Sequence, residues 1–290
     1  MSVKDPQGGL VNDLEPAEFR LLEDGVEQTI TGFSAEPVPL AAAVLIDAAM
    51  RRPAAQRMRR TFPSLVEAFG EFDEVGVFSF DSKFRQAAGF TTEREAWRAA
   101  LGRLEAGADY TQTGEPLASG APRINGWPVG GAPPRTARPA PRNMDDAVLA
   151  AHRLVLSRGQ DRRKIILLIS DGSHAGAANP QLPANLRHSN VIVYSIGLDD
   201  ARLSGGSTPL GRYGPPSGGE LFAAAKESTL EHLWARITEQ ARYQYVLTYT
   251  PQRPSSVAPV FRSLEVRVRR PGLRVVARDG YLPEARSTRP

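Results

Sequence analysis

The sequence contains no cysteine, and histidine, methionine and tryptophan are rare, with 4, 4 and 3 residues among 290. The absence of cysteine excludes a disulfide framework, a thiol nucleophile and zinc sites built on thiolates. A long hydrophobic run is also missing, because the longest one, residues 38–46, is about half of what a bilayer crossing needs. We therefore expect no membrane span.

What is present is ordinary globular material, with 41% hydrophobic and 23% charged residues. The 24 prolines and 26 glycines indicate many turns but stay below the level of a low-complexity chain. The length fits one domain of about 200 residues and a smaller companion.

Arginine supplies 32 of the 36 basic residues, yet 32 acidic residues reduce the formal net charge to +4. A nucleic-acid-binding protein usually gathers its basic excess on one face, whereas here it is spread from Arg20 to Arg289. One local run is an exception and is either a solvated helix face or a surface for an acidic partner or for phosphates. It comprises Arg51, Arg52, Arg57, Arg59 and Arg60.

Continuous apolar runs alternate with amphipathic segments, which is typical of an α/β domain with a mostly parallel sheet and helices on both faces. The expected buried strands are 40–46, 75–80, 164–170 and 191–196, with a short strand at 86–90. The expected helices are 53–69, which Pro63 is positioned to break, 92–104, 145–156 and 229–240.

At the two ends of the chain, the pattern of apolar residues changes to one typical of antiparallel strands. Residues 18–22 and 26–33 are strand-like and flank Asp24-Gly25, a strong hairpin signal. Residues 260–270 alternate apolar and charged side chains, as an antiparallel strand does. We expect residues 1–36 and 242–290 to pair into a small antiparallel β accessory domain beside an α/β domain over 37–241.

Residues 106–143 form a Pro/Gly-rich insertion, with seven prolines and six glycines in 38 residues. Loops of this length inside a compact domain are usually either functional or disordered. Ile124 and Trp127 are its large hydrophobic residues and are candidates for partner binding.

Two carboxylates follow buried strands directly, Asp47 after residues 40–46 and Asp171 after residues 164–170. Ligands of open α/β sheets bind at the carboxyl ends of the strands. If the two strands are neighbours, the carboxylates meet at one edge and suit a hard cation such as Mg²⁺. Alternatively, each aspartate caps the helix or turn that follows it.

The sequence resembles bacterial proteins related to von Willebrand factor type A (VWA) domains, specifically those in which the domain is flanked by β segments. The resemblance spans nearly the whole chain, and its specificity comes from the order of the pieces. They are residues 19–27, 44–47 (Val-Leu-Ile-Asp), 73–81, 167–172 (Leu-Leu-Ile-Ser-Asp-Gly), 245–251, 266–274 and 279–281.

The resemblance implies a VWA-like fold and a metal-ion-dependent adhesion site, in which an Asp-x-Ser-x-Ser motif, a Thr and a further Asp hold Mg²⁺. Here the first motif reads Asp47-Ala48-Ala49-Met50-Arg51, so both hydroxyls are missing. Arg142 aligns with the threonine. Of the implied ligands only Asp47 and Asp171 are retained, and we expect a degenerate site in which Arg51 or Arg142 replaces the cation.

These observations predict a non-enzymatic protein–protein binding module of the adhesion or scaffold type. The partner is a protein of unknown identity; we expect no small-molecule substrate and no cofactor, with at most weak Mg²⁺ binding. The alternative is a basic module that binds nucleic acid or another polyanion, although nucleic acid fits the spread of charge poorly. No nucleophile and base stand at catalytic spacing.

The four histidines lie on separate predicted elements and are expected at the surface or in caps. His174 is a further partner-binding candidate, because it lies three residues after Asp171. The flanked form resembles exported proteins, so an extracytoplasmic location with its leader removed is expected; the alternative is the cytoplasm.

Overall fold

The computed structural model describes residues 1–104, 123–124, 127–128, 143–172, 178–198, 208–224, 226–252 and 260–283. The strands are β1 (Ser2–Lys4), β2 (Phe19–Glu23), β3 (Val26–Gln28), β4 (Ile30–Ser34), β5 (Leu40–Asp47), β6 (Glu74–Phe80), β7 (Phe84–Thr91), β8 (Arg123–Ile124), β9 (Trp127–Pro128), β10 (Arg163–Ser170), β11 (Ile192–Gly197), β12 (Leu221–Ala223), β13 (Val246–Tyr249), β14 (Arg262–Val268), β15 (Arg274–Val276) and β16 (Gly280–Tyr281). The helices are α1 (Arg52–Arg60), α2 (Phe62–Ala68), α3 (Arg94–Arg103), α4 (Met144–Leu156), α5 (Leu182–His188), α6 (Gly214–Ser217) and α7 (Glu227–Arg242). Short 3-10 turns cover Pro16–Glu18 and Gly211–Tyr213.

The central feature is a six-stranded sheet in the order β12-β11-β10-β5-β6-β7. Its first five strands are parallel, and β7 runs antiparallel to β6 at the edge. The order reverses between β5 and β10, the two strands that the sequence places before Asp47 and Asp171. The predicted α/β sheet is therefore confirmed. The carboxyl ends of these two strands lie where open α/β sheets generally bind their ligands.

Every residue of β5 is buried, because helices cover both faces of the sheet. On one face α1, α2, α3 and α7 pack against Val44, Ile46 and Leu167, with Trp97 and Trp234 fully buried between them. On the other face α4 and α5 complete a second core. Each large side chain removed from water in this way contributes about 1.5–3 kcal/mol, which makes the sheet a rigid support for its edge.

The two ends of the chain form additional antiparallel sheets, as expected from the sequence. Strand β2 lies between β3 and β14, β16 extends β14, β4 pairs with β13, and β1 pairs with β15. These sheets enclose the third hydrophobic core of the molecule. It centres on Phe19, Phe33 and Tyr245, whose ring centroids lie 5.0–5.8 Å apart. The domain limits 1–36, 37–241 and 242–290 stay a prediction.

Local sequence explains the sharpest turns. Asp24 and Gly25 both have positive φ, 49° and 77°, the backbone of a two-residue type I′ hairpin turn, and they join β2 to β3. The helix expected over 53–69 is two helices, α1 and α2, because Pro63 opens the second one. Strand β12 and helices α5 and α6 were not anticipated, since their segments are short.

Most of the insertion 106–143 lies outside the described residues. Its described part is the β8–β9 pair, in which Ile124 is the register partner of Trp127, together with Asn143. Among the described residues, no helix combines the length and the apolar composition that a bilayer crossing requires.

Candidate functional site

Asp47 is the last residue of β5 and is fully buried. One carboxylate oxygen accepts a hydrogen bond from the Ala49 N–H at 2.9 Å, and the other accepts one from the Ser170 hydroxyl at 2.7 Å. Ser170 ends the neighbouring strand β10 and was not singled out in the sequence. The adjacent strand ends thus hold the Asp47 carboxylate in place.

Asp171 follows β10 directly and is also fully buried. Its Oδ2 accepts the Arg51 backbone N–H at 3.0 Å and lies 3.4 Å from the Arg51 Nε. The Arg51 side chain keeps 53% of its surface exposed. We call this side of the sheet, where β5 ends at Asp47, Asp171 follows β10 and α1 begins, the carboxyl edge. The edge brings the two predicted carboxylates to one place, with Arg51 beside them.

The side chains at the carboxyl edge are a poor set of ligands for the Mg²⁺ ion that the resemblance implies. Mg²⁺ requires near-ideal octahedral coordination by oxygen ligands. Here Ala49 and Arg51 stand where hydroxyl ligands are implied, and each aspartate already accepts hydrogen bonds from protein N–H or O–H groups. Within the described part of the chain, no group of three or more His, Cys, Asp and Glu residues is placed to hold a metal ion.

Helix α1 extends from the carboxyl edge and carries the arginine run. Arg52 and Arg59 are exposed, whereas Arg57 donates to the Leu198 carbonyl at 2.7 Å and connects α1 to the end of β11. Arg60 lies 3.4 Å from Glu227 at the start of α7. Part of the run is therefore structural, and part of it gives the edge positive charge.

A third buried carboxylate of this region was not identified from the sequence. Asp145, in the first turn of α4, accepts the Tyr213 hydroxyl at 2.6 Å and the Asn179 N–H at 2.7 Å, and it pairs with Arg212. Burial and the neighbouring Asp145 raise the pKa of Tyr213. Asp145 therefore ties the loops after β10 and β11 to α4; the only available signal was an Asp-Asp pair at a helix start.

For the other site residues predicted from the sequence, the structure gives less information. Arg142 and His174 lie outside the described residues, and for Ile124 and Trp127 only the strand pairing is described. His152 corrects the expectation of surface histidines, because it is buried in α4 with its ring nitrogen 2.9 Å from the Ser189 hydroxyl. Burial lowers the pKa of His152, so it contributes a neutral ring to the core.

No family model and no curated protein matches the sequence. Among solved structures, the chain is similar to proximal thread matrix protein 1 from the mussel byssus, at 16% identity and a TM-score of 0.48 over 73% of this chain and 49% of that one. It is similar to a von Willebrand factor type A protein from Catenulispora acidiphila, at 14% identity and a TM-score of 0.48 over 78% of this chain and 50% of that one. It is also similar to the conserved hypothetical protein BatB from Bacteroides thetaiotaomicron, at 14% identity and a TM-score of 0.46 over 70% of this chain and 98% of that one.

This chain thus spans about half the length of the mussel and Catenulispora chains. The solved chains to which the protein is similar include von Willebrand factor type A domains, the family that its sequence resembles.

Proposed function

We propose that the protein is a non-enzymatic binding module that takes an acidic segment of a partner protein at the carboxyl edge, with arginine in place of a metal ion. The observation that carries the proposal is the position of Arg51. Its backbone N–H and Nε both address the buried Asp171, while half of its side chain remains at the surface.

The electrostatics of the edge support this assignment. Two buried carboxylates at neighbouring strand ends disfavour each other's charged form unless a cation stands nearby. Arg51 is such a cation, and a guanidinium is always charged and binds carboxylates in a planar, directional geometry. A metal would present one open coordination position to an acidic ligand. Here the exposed side chains of Arg51 and Arg52 give the edge positive charge instead.

The proposal that the module is not an enzyme is supported by the surroundings of one serine–histidine pair, which has the residue types of a nucleophile and its base. His152 and Ser189 are in hydrogen-bond contact, but both are buried. Ser189 also donates to the Leu186 carbonyl and accepts the Val191 N–H, so its hydroxyl closes the end of α5. This pair stabilises the core and is unsuited to attack a substrate.

Peptide arrays test the proposal directly. Peptides with a single Asp or Glu are compared with matched peptides that carry Asn or Gln. We expect the protein to retain the acidic set, and the double variant Arg51→Gln, Arg52→Gln to lose it by tenfold or more. The matched control is Arg267→Gln, Arg269→Gln, which removes two exposed arginines from β14 and the residue after it and should change nothing.

Equal retention of the amide peptides, or unchanged binding by the Arg51 and Arg52 variant, would contradict the proposal. A titration with duplex DNA at several salt concentrations addresses the alternative. Micromolar affinity that falls steeply with salt would favour the polyanion-binding module instead.

We also propose that the module works outside the cytoplasm. The support is the sequence resemblance of the flanking β segments to the exported, flanked form of the family. Fractionation of the source cells with a specific antibody checks this location; recovery in the cytoplasmic fraction alone would contradict it.

A further inference from the structure

A large cavity lies at the end of the molecule opposite the carboxyl edge. Its volume is about 940 Å³. One wall is formed by the first residues of β10, Arg163 and Lys164, and the other by Leu21 and Val266 of the paired strands β2 and β14. The cavity therefore separates the amino ends of the six-stranded sheet from the accessory sheets, and we call it the amino-end cavity.

The amino-end cavity is strongly cationic. Among the described residues that line it, Asp161 is the one carboxylate, against five cationic side chains. These are Arg162, Arg163, Lys164, Arg187 and Arg278. Two of them have carboxylate partners elsewhere: Arg187 binds Asp279 through two hydrogen bonds, and Arg162 lies 3.4 Å from Glu74.

Arg163 is different, because nothing in the described residues neutralises it. Its Nη1 is buried and has no hydrogen-bond partner there. Burial lowers the pKa of Arg163 from its usual value, whereas the hydrogen bonds to Asp279 raise the pKa of Arg187. A buried donor without a hydrogen-bond partner destabilises the folded protein, and more strongly when it is charged. Such a cost is expected where a ligand supplies the missing acceptor.

Arg278 approaches the same cavity from the accessory sheets, where it follows β15. Its Nη2 donates to the Asn190 side-chain oxygen at 2.8 Å, which is a neutral acceptor. Burial also lowers the pKa of Arg278. Two desolvated guanidinium groups, one from each side, thus line a single space.

The remaining wall is mainly apolar and aromatic. Val246 projects from β13 with 46% of its surface exposed, although valine is usually buried in a strand of this kind. Tyr249 and Tyr281 stand beside it, and the Tyr249 hydroxyl donates to Glu23 at 2.8 Å. The cavity thus combines a cationic side with an apolar and aromatic side. Small-molecule sites of several hundred Å³ typically pair apolar and aromatic walls with placed polar or charged groups.

We propose that the amino-end cavity binds a small organic anion, with one carboxylate or phosphate head group on Arg163 and Arg278 and an apolar body against Leu21, Val246 and Val266. The site is independent of the carboxyl edge and of any partner bound there. The sequence alone led us to expect no small-molecule substrate, and the cavity adds a small-molecule ligand to that picture.

Thermal unfolding and calorimetry of the full chain test the site with three probes of one chain length: octanoate, octyl phosphate and octan-1-ol. A ligand that binds only the folded protein raises the melting temperature with its concentration. We expect at least one of the two anions to bind with a micromolar to submillimolar Kd, and the neutral alcohol to bind at least tenfold more weakly. Comparison of octanoate with octyl phosphate identifies the head group.

The variant Arg163→Met keeps most of the side-chain length and removes the charge. It should raise the Kd of the preferred anion tenfold or more, while the unliganded variant melts no lower than the original, because an unpaired desolvated charge has been removed. Arg267→Met, on the exposed face of β14, is the matched control and should bind normally. Binding of the alcohol as tight as that of the anions, unchanged binding by Arg163→Met, or no binding of either anion would each overturn the proposal.

Discussion

Asp73 is fully buried just before β6, and both of its carboxylate oxygens accept hydrogen bonds. They bind the backbone N–H groups of Leu40 and Gly70 and, in a bidentate pair at 2.6 and 3.1 Å, the guanidinium of Arg242. This single side chain joins the start of β5, the turn after α2 and the end of α7.

We expect Asp73→Ala to lower the free energy of unfolding by about 3 kcal/mol or more, since it leaves a partly buried charge and two N–H groups without their acceptor. Urea denaturation measures the change. Glu67→Ala is the control: Glu67 pairs with Arg94 and Arg98 at the surface and should cost less than about 1 kcal/mol. Equal losses in the two variants would show that Asp73 has no special role.

The carboxyl edge allows a second test at single residues, with calorimetry of Mg²⁺ and Mn²⁺. The unaltered protein should bind neither ion at micromolar concentrations. The variant Ala49→Ser, Arg51→Ser, Arg142→Thr, which returns the hydroxyls that the sequence resemblance implies, should gain binding, and adding Asp171→Asn should remove it again. Micromolar binding by the unaltered protein would refute the replacement of metal by arginine.

At this scale the sequence identifies some site residues and misses others for a physical reason. Asp47 and Asp171 could be predicted because each ends an apolar run, a purely local signal. Asp145 could not, because its partners Tyr213 and Asn179 lie 68 and 34 residues away and meet it only after folding. Arg163 likewise reads as an ordinary residue at the start of a strand.

Among the elements, the β2–β3 hairpin and helix α3 offer a matched pair of glycines. A Cβ at either Gly25 or Gly102 would meet no atom within 4 Å. An alanine at either position therefore clashes with no neighbouring residue. Gly25 has φ of +77°, whereas Gly102 lies inside α3. Their backbone conformations alone therefore decide the effect of a substitution.

We expect Gly25→Ala to destabilise the protein by about 1–2 kcal/mol, the usual cost of left-handed backbone for a residue with a Cβ. Gly102→Ala should stabilise it by roughly 0.5–1 kcal/mol, because alanine is the better helix former. Paired chemical denaturation curves measure both. Shifts of the same sign would contradict the type I′ turn between β2 and β3.

The long strands and helices could be predicted from the spacing of their apolar residues, whereas the short ones could not. Strands β5 and β10 are near-continuous apolar runs, and α4 and α7 repeat apolar residues at helical spacing, so each was predicted within a few residues. Strand β12 has three residues and α6 has four, too few for any period to be visible. Tertiary contacts rather than local sequence define them.

In the whole molecule, the ends of the chain depend on each other. Strand β14 pairs with β2 over five residues, and β1 pairs with β15 over three. Removal of residues 1–36 would therefore leave β13 and β15 without a partner strand and β14 with only β16. It would also expose Tyr245 and Val266, which pack in the core around Phe19. A two-stranded remnant is at best marginally stable in water.

We expect this truncation to make residues 242–290 sensitive to protease while the helical circular dichroism of the α/β domain is largely kept. Limited proteolysis with mass spectrometry locates the cuts. A tail that resists protease as well in the truncated protein as in the full chain would refute the shared accessory domain.

The pairing of the chain ends has a consequence for synthesis on the ribosome. Phe19 of β2 meets Val268 of β14 across about 250 intervening residues. At roughly 5–20 residues per second, β2 and its apolar face wait on the order of ten seconds or more before a partner strand exists. During that interval the α/β domain is free to fold, while β2 remains an open strand edge able to pair with another nascent chain. The final step of folding is therefore the closure of the accessory sheets, and crowded, rapid expression is the condition under which it should fail first.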